Sequence, residues 1–173
     1  MTEAMEEILS EEEDTQKNKY LTFSLGEEVY GIDIKVVIEI IGIHPITDVP
    51  EVPEYVKGII NLRGKIIPVI DMRLRFRREF REYNDRTCMI VIEVNDILIG
   101  LIVDGVSDVL TIPAENIVPP PALKSSQNKY INGIGKLENM VILLLDCDKL
   151  FSEQDEEKFQ SIEEEQLQST DEM

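Results

Sequence analysis

Tyr55-Val-Lys-Gly58-Ile-Ile-Asn-Leu62-Arg-Gly-Lys-Ile-Ile-Pro-Val-Ile-Asp71 is written a second time as Tyr130-Ile-Asn-Gly133-Ile-Gly-Lys-Leu137-Glu-Asn-Met-Val-Ile-Leu-Leu-Leu-Asp146. Tyr, Gly, Leu, the apolar run and Asp hold register, and Phe76 and Phe151 extend it. An earlier segment matches more loosely, with Gly31-Ile-Asp-Ile-Lys-Val-Val37-Ile-Glu39-Ile set against Gly100-Leu-Ile-Val-Asp-Gly-Val106-Ser-Asp108-Val. The repeat predicts two copies of one small β unit. Positions where the copies disagree become candidates for function, because the other copy folds without them.

Working outward, the β signal continues on both sides. Leu21, Phe23 and Leu25 alternate with Thr22 and Ser24 at the period of a half-buried strand. Gly26-Glu27 turns the chain into a run in which Tyr30, Ile32 and Ile34 share a face, which predicts a hairpin. Further strands are predicted over 36–43, 58–62, 65–70, 89–94, 97–103, 106–112, 131–137 and 140–145. Asn95-Asp96 and Arg63-Gly64 are tight-turn signals. Helices are predicted to be short: one turn over Pro53–Lys57, and caps at Asp71 and Asp146. The fold class expected is all-β, with two SH3-like five-stranded barrel lobes around a shared hydrophobic centre and short peripheral helices. Each lobe, at about seventy residues, would be marginal alone, so the two are expected to bury apolar surface against each other.

Charge sets the domain limits. Of a net −18, the first seventeen residues and those from Ser152 onward carry −14, which leaves about −4 for the body. Residues 1–18 are expected to be a disordered acidic tail, 19–151 the folded domain (interleaved lobes, roughly 19–80 and 86–151), and 152–173 an acidic tail with a marginal helix. Acidity of this size argues against nucleic-acid binding, since a phosphate backbone is repelled. No basic, apolar leader and no uncharged run near eighteen residues is present, so a cytoplasmic protein without direct membrane insertion is expected.

The inventory for catalysis is thin. His44 is the one histidine and lies in a loop before Pro45. Cys88 and Cys147 sit singly in apolar runs, as small core residues do. Asp71, Asp104 and Asp146 invite comparison with a carboxylate pair, but Asp71 and Asp146 occupy equivalent capping positions in the repeat. No calcium-loop pattern, His/Cys cluster or phosphate-cradling glycine loop is found, so no catalytic residue, metal or cofactor is expected.

Binding is the remaining reading, and the repeat mismatch locates it. Asn61-Leu62-Arg63-Gly64 stands where the second copy has Lys136-Leu137-Glu138-Asn139. A turn-borne Arg offers a planar fork of donors to a partner's carboxylates, carbonyls or amides. Its alternative is a surface Arg paired with an acid such as Glu39 or Glu54. Val36-Val-Ile-Glu39-Ile-Ile41 is the other candidate: five apolar residues in six are either covered by the other lobe, the default, or exposed to a partner. The six arginines from Arg73 to Arg86 read by default as a solvated interlobe linker.

Taken jointly, Leu21-Thr-Phe-Ser-Leu-Gly26, Tyr30-Gly-Ile-Asp-Ile34, Val37-Ile-Glu39-Ile, Val56-Lys-Gly58, Asn61-Leu-Arg-Gly64, Pro68-Val-Ile-Asp71, Asn84-Asp85 and Val103-Asp-Gly-Val-Ser-Asp-Val109 resemble the CheW-like family of bacterial chemotaxis coupling proteins. The resemblance spans about Lys19 to Phe151. It implies a non-catalytic adaptor between the cytoplasmic tips of methyl-accepting chemoreceptors and the regulatory domain of the histidine kinase CheA, at receptor arrays beneath the inner membrane. By similarity, Val37, Glu39, Asn61, Arg63 and Gly64 belong to the receptor-binding site in the groove between the lobes. Exposed strand ends near Gly100 and Val103 are expected at the kinase-binding site. Rival readings are a CheV-like protein or a detached kinase regulatory domain, for which the residues after Phe151 leave too little room, and a ligand-binding or hydrolytic β barrel.

Overall fold

A computed structural model describes residues 16–120 and 130–151; the tails read from charge lie outside the described residues, apart from 16–18. The strands are β1 (Lys19–Leu25), β2 (Glu28–Asp33), β3 (Val37–Gly42), β4 (Val56–Leu62), β5 (Lys65–Asp71), β6 (Cys88–Val94), β7 (Ile97–Val103), β8 (Gly105–Thr111), β9 (Ile117–Val118), β10 (Ile131–Leu137) and β11 (Met140–Leu145). One short helix, α1 (Met72–Arg75), follows β5. They form a six-stranded sheet, β8-β1-β2-β11-β10-β9, and a five-stranded sheet, β3-β6-β7-β5-β4. Six and five replace the expected five and five because β9, two residues long, adds an edge beside β10. In the other sheet an isolated bridge between Thr47 and Ile59 takes its place.

The two orders superimpose on the repeat, position for position, but the lobes do not follow the chain halves. The lobes interleave, so the rough bounds 19–80 and 86–151 mark the repeats and not the sheets: β1 and β2 pair with β8 and β11, while β6 and β7 pair with β3 and β5. Each repeat lends its first hairpin to the other's lobe. The physical reason lies in strands such as β6, whose residues are apolar except for Glu93. Ile90, Ile92 and Val94 enter the core shared by the lobes, while Met89 and Val91 enter the interior of the five-stranded lobe. A strand apolar on both faces needs cover on both, and the space between two sheets provides it.

Among the described residues, nineteen buried ones make the shared core, against seven and three in the lobe interiors. At about 1.5–3 kcal/mol for each large apolar side chain buried, most of the hydrophobic stabilisation lies between the lobes. The alternation read in β1 and β2 holds: Leu21, Phe23, Leu25, Tyr30 and Ile32 all face that core.

The caps at the strand ends also hold. The Asp71 carboxylate accepts from the Arg73 and Leu74 N–H groups at 2.9 and 3.3 Å, and Asp146 accepts from Asp148 at 3.0 Å. The helical turn expected over Pro53–Lys57 is absent. A single Val56 N–H to Pro53 carbonyl bond closes a turn there, and β4 starts at Val56 instead. Gly58 is required in that strand: its φ is +146° and a Cβ would stand 2.1 Å from the Thr47 carbonyl oxygen.

Candidate protein-binding surface

Arg63 sits in the two-residue turn between β4 and β5, at φ 52° with Gly64 at 87°. The Asn61 side-chain oxygen accepts from the Gly64 N–H at 2.9 Å and braces the turn. The guanidinium donates to the Glu39 carboxylate on β3, yet its side chain stays 72% exposed. Arg63 therefore pairs with an acid, as its alternative reading expects, while most of its side chain stays on open surface. Since β3 and β4 are opposite edges of the five-stranded sheet, this pair also shows how far the sheet curls. An exposed pair of this kind stabilises by at most about 1 kcal/mol, so exchanging Glu39 for a partner's acceptor costs little.

Strand β3 divides its apolar residues. Val37 packs against the shared core and Ile41 against the five-stranded lobe's interior, whereas Ile38 and Ile40 are 50% and 44% exposed. Cover by the other lobe, the default for the whole strip, fails for these two. Ile40 pairs with Ile90, whose side chain lies in the shared core, so Ile40 lies at the rim of the interlobe seam. An irregularity between Val37 and Glu39 places Ile38 outside the ladder. The excess of apolar residues in Val36–Ile41, too many for one face of a strand, was the signal for Ile38 and Ile40, but hydrophobicity alone does not distinguish core from rim.

In the second repeat Glu138 takes the turn position, at φ 48°, and Asp108 takes that of Glu39; both are exposed acids. Val109, paired with the core residue Leu21, is 50% exposed and matches Ile40.

Gly100 and Val103 are not surface residues. Both lie in β7, which is flanked by β6 and β5, and Val103 is 1% exposed within the shared core. The expectation of exposed strand ends there is corrected: this strand is covered on both faces, so neither residue presents a side chain to a partner.

The carboxylates once compared with an acid–base pair have structural employment. Asp71 is 2% exposed, caps α1 and accepts from the Tyr83 hydroxyl at 2.8 Å. Burial, with the Asp71 hydrogen bond and charge added, pushes the Tyr83 hydroxyl far above its ordinary range. Asp104 accepts from the Arg73 guanidinium at 2.8 and 2.5 Å and from the Gly26 N–H at 2.7 Å. Burial, reinforced by Asp146, Asp148 and Asp33, pushes the Cys147 thiol up to about 12, leaving it a core thiol without nucleophilic character. The His44 ring Nδ1 lies 3.0 Å from the Gly42 carbonyl oxygen, a local loop contact. Among the described residues no cluster of His, Cys, Asp or Glu could hold a metal ion, and no helix is long and apolar enough to cross a membrane.

Residues 19–155 match the family model of the CheW-like domain. A chemotaxis protein CheW from Klebsiella aerogenes is 39% identical over 143 residues, which is 82% of this chain and 86% of the relative. One from Treponema pallidum is 35% identical over 147 residues, again 82% and 86%. Among solved structures, the crystal structure of the scaffolding protein TtCheW from Thermoanaerobacter tengcongensis superimposes with a TM-score of 0.74 at 40% identity, covering 80% of this chain and 94% of that one.

Proposed function

The chain belongs to the CheW-like domain family and is a non-catalytic chemotaxis adaptor, and on that premise we propose that it joins the cytoplasmic tips of chemoreceptors to the histidine kinase CheA in arrays beneath the inner membrane. The family match over 19–155, which takes in nearly all of the described fold, carries this reading. For the receptor contact we assign the edge formed by Val37, Glu39, Asn61, Arg63 and Gly64, with Arg63 as its principal donor. Support comes from the exposure of Arg63 and from the acid at its place in the second repeat. An adaptor needs no reaction chemistry: weak contacts, repeated across an array, add through multivalency.

The test is co-sedimentation of purified protein with a receptor-tip fragment, with the kinase regulatory domain, and with both. Retention of each alone, and of all three together, is expected. Failure to hold either partner, with the fold intact by circular dichroism, would overturn the adaptor reading.

A further inference from the structure

Strand β5 ends and strand β6 begins on the same side of one sheet, with only β7 between them. A gap of about 10 Å separates such strands, and about three residues span it. The chain instead takes the whole stretch from Met72 to Thr87, and a connection of that length in a small domain usually has work to do.

Its side chains reach across to the six-stranded lobe. Arg73 donates to Asp104, which also accepts from Gly26 in the β1–β2 turn, and Arg81 lies 3.6 Å from the same carboxylate. Arg78 donates to the Leu25 carbonyl and the Tyr30 hydroxyl, each at 3.0 Å, and pairs with Glu28. Phe76 stacks on Tyr30 and Tyr130, with ring centroids 5.3 and 5.0 Å away. Arg75 occupies the pseudo-symmetric centre: its guanidinium lies 5.3 Å from the rings of both Tyr55 and Tyr130, the repeat-equivalent tyrosines, and donates to the Leu150 carbonyl. The arginine run is thus not a solvated linker. Arg73, Arg75, Arg78 and Arg81 are engaged with the fold itself, because a planar guanidinium bonds in its plane and stacks on its faces simultaneously.

We propose that residues 72–87 form a clasp that fixes the angle between the lobes, with Arg75 as its pin, and that releasing it lets the lobes turn about the shared core as two units. The clasp holds by directional polar contacts, whereas the core beneath is apolar and non-directional. It therefore governs orientation more than cohesion. The spacing between the β3 edge and the β8 edge across the seam depends on it. This inference stands whichever partner binds there.

Spin labels at Lys65→Cys and Lys136→Cys, one exposed position in each lobe, read that angle in a Cys88→Ala, Cys147→Ala background. Arg73→Gln with Arg75→Gln should broaden the label-to-label distance distribution by about twofold, while amide exchange at Val91 and Ile142, inside the separate lobes, stays within about twofold of the parent. Arg77→Gln with Arg86→Gln, exposed arginines of the same stretch, should leave the width unchanged. An unaltered width in the first pair, equal broadening in the second, or loss of protection inside both lobes alike would overturn the clasp.

Discussion

The turn carrying Arg63 and the turn carrying Glu138 are one piece of structure built twice with opposite charge. Both residues adopt left-handed backbone, at φ 52° and 48°, and both turns join antiparallel strands in the same register. In the five-stranded lobe the guanidinium meets Glu39; in the six-stranded lobe a carboxylate stands where it would, with Asp108 at the matching strand position. Because the fold accepts either arrangement, the ion pair is not what folds the turn. The receptor contact proposed above gives Arg63 a use outside the molecule.

The strongest way to break the likeness of the repeats acts on backbone. Gly58 and Gly133 are equivalent, but a Cβ at Gly58 would meet the Thr47 carbonyl oxygen at 2.1 Å, and one at Gly133 the Ile117 methyl at 2.9 Å. A side-chain methyl can shift; a bridged backbone carbonyl cannot. Gly58→Ala should cost about 3 kcal/mol or more, whereas Gly133→Ala should cost about 1–2 kcal/mol. Urea unfolding compares them, and equal losses would mean that the two loop edges are held alike.

Charge reversal sharpens the comparison at the turns. Arg63→Glu should weaken receptor-tip binding by about 30-fold or more, the scale of burying an unmatched charge at an interface, while the melting temperature shifts by no more than about 2 °C. Glu138→Arg should leave receptor binding unchanged. Exchanging the pair, Arg63→Glu with Glu39→Arg, restores the internal attraction but not the outward donor. Recovery of binding in that double variant would show that the pair itself, not Arg63, is what the partner needs.

What the sequence made legible followed from periodicity and repeat. Strands β3, β7, β10 and β11 lie within a residue of where their apolar, β-branched runs put them, and Asp71 and Asp146 cap as their spacing requires. Interleaving of the lobes was expected, but which hairpin is exchanged was not legible, because an apolar pattern shows which face of a strand is apolar and not which neighbour covers it. Gly100 and Val103 show the same gap: their sequence context resembles a strand end, but strand order places them at the centre of a sheet. The mismatch between copies singled out Arg63, which the fold leaves exposed. The clasp was not legible, since an arginine run reads as solvated until the tyrosines and carbonyls that face it come from distant parts of the chain.

A smaller effect separates two ion pairs of similar chemistry and different burial. Partial burial pushes the Asp104 carboxyl up, but the hydrogen bonds from Arg73 and from Gly26, with the charges of Arg73 and Arg81, outweigh it and hold the group below its ordinary range. A carboxyl lowered in the folded state contributes stability that is complete above its unfolded value, about 4, and that disappears as the pH falls through the lower folded value. Asp104→Asn should therefore cost about 1–2 kcal/mol near neutral pH, a gap that closes only as the pH drops below about 4. Glu39→Gln removes a pair whose Arg is mostly in water, and should show a gap under about 1 kcal/mol. Urea titrations from neutral pH down to acid would measure both. A gap for Asp104→Asn that persists undiminished in acid would show that the loss arises from packing and not from the charge that Arg73 holds.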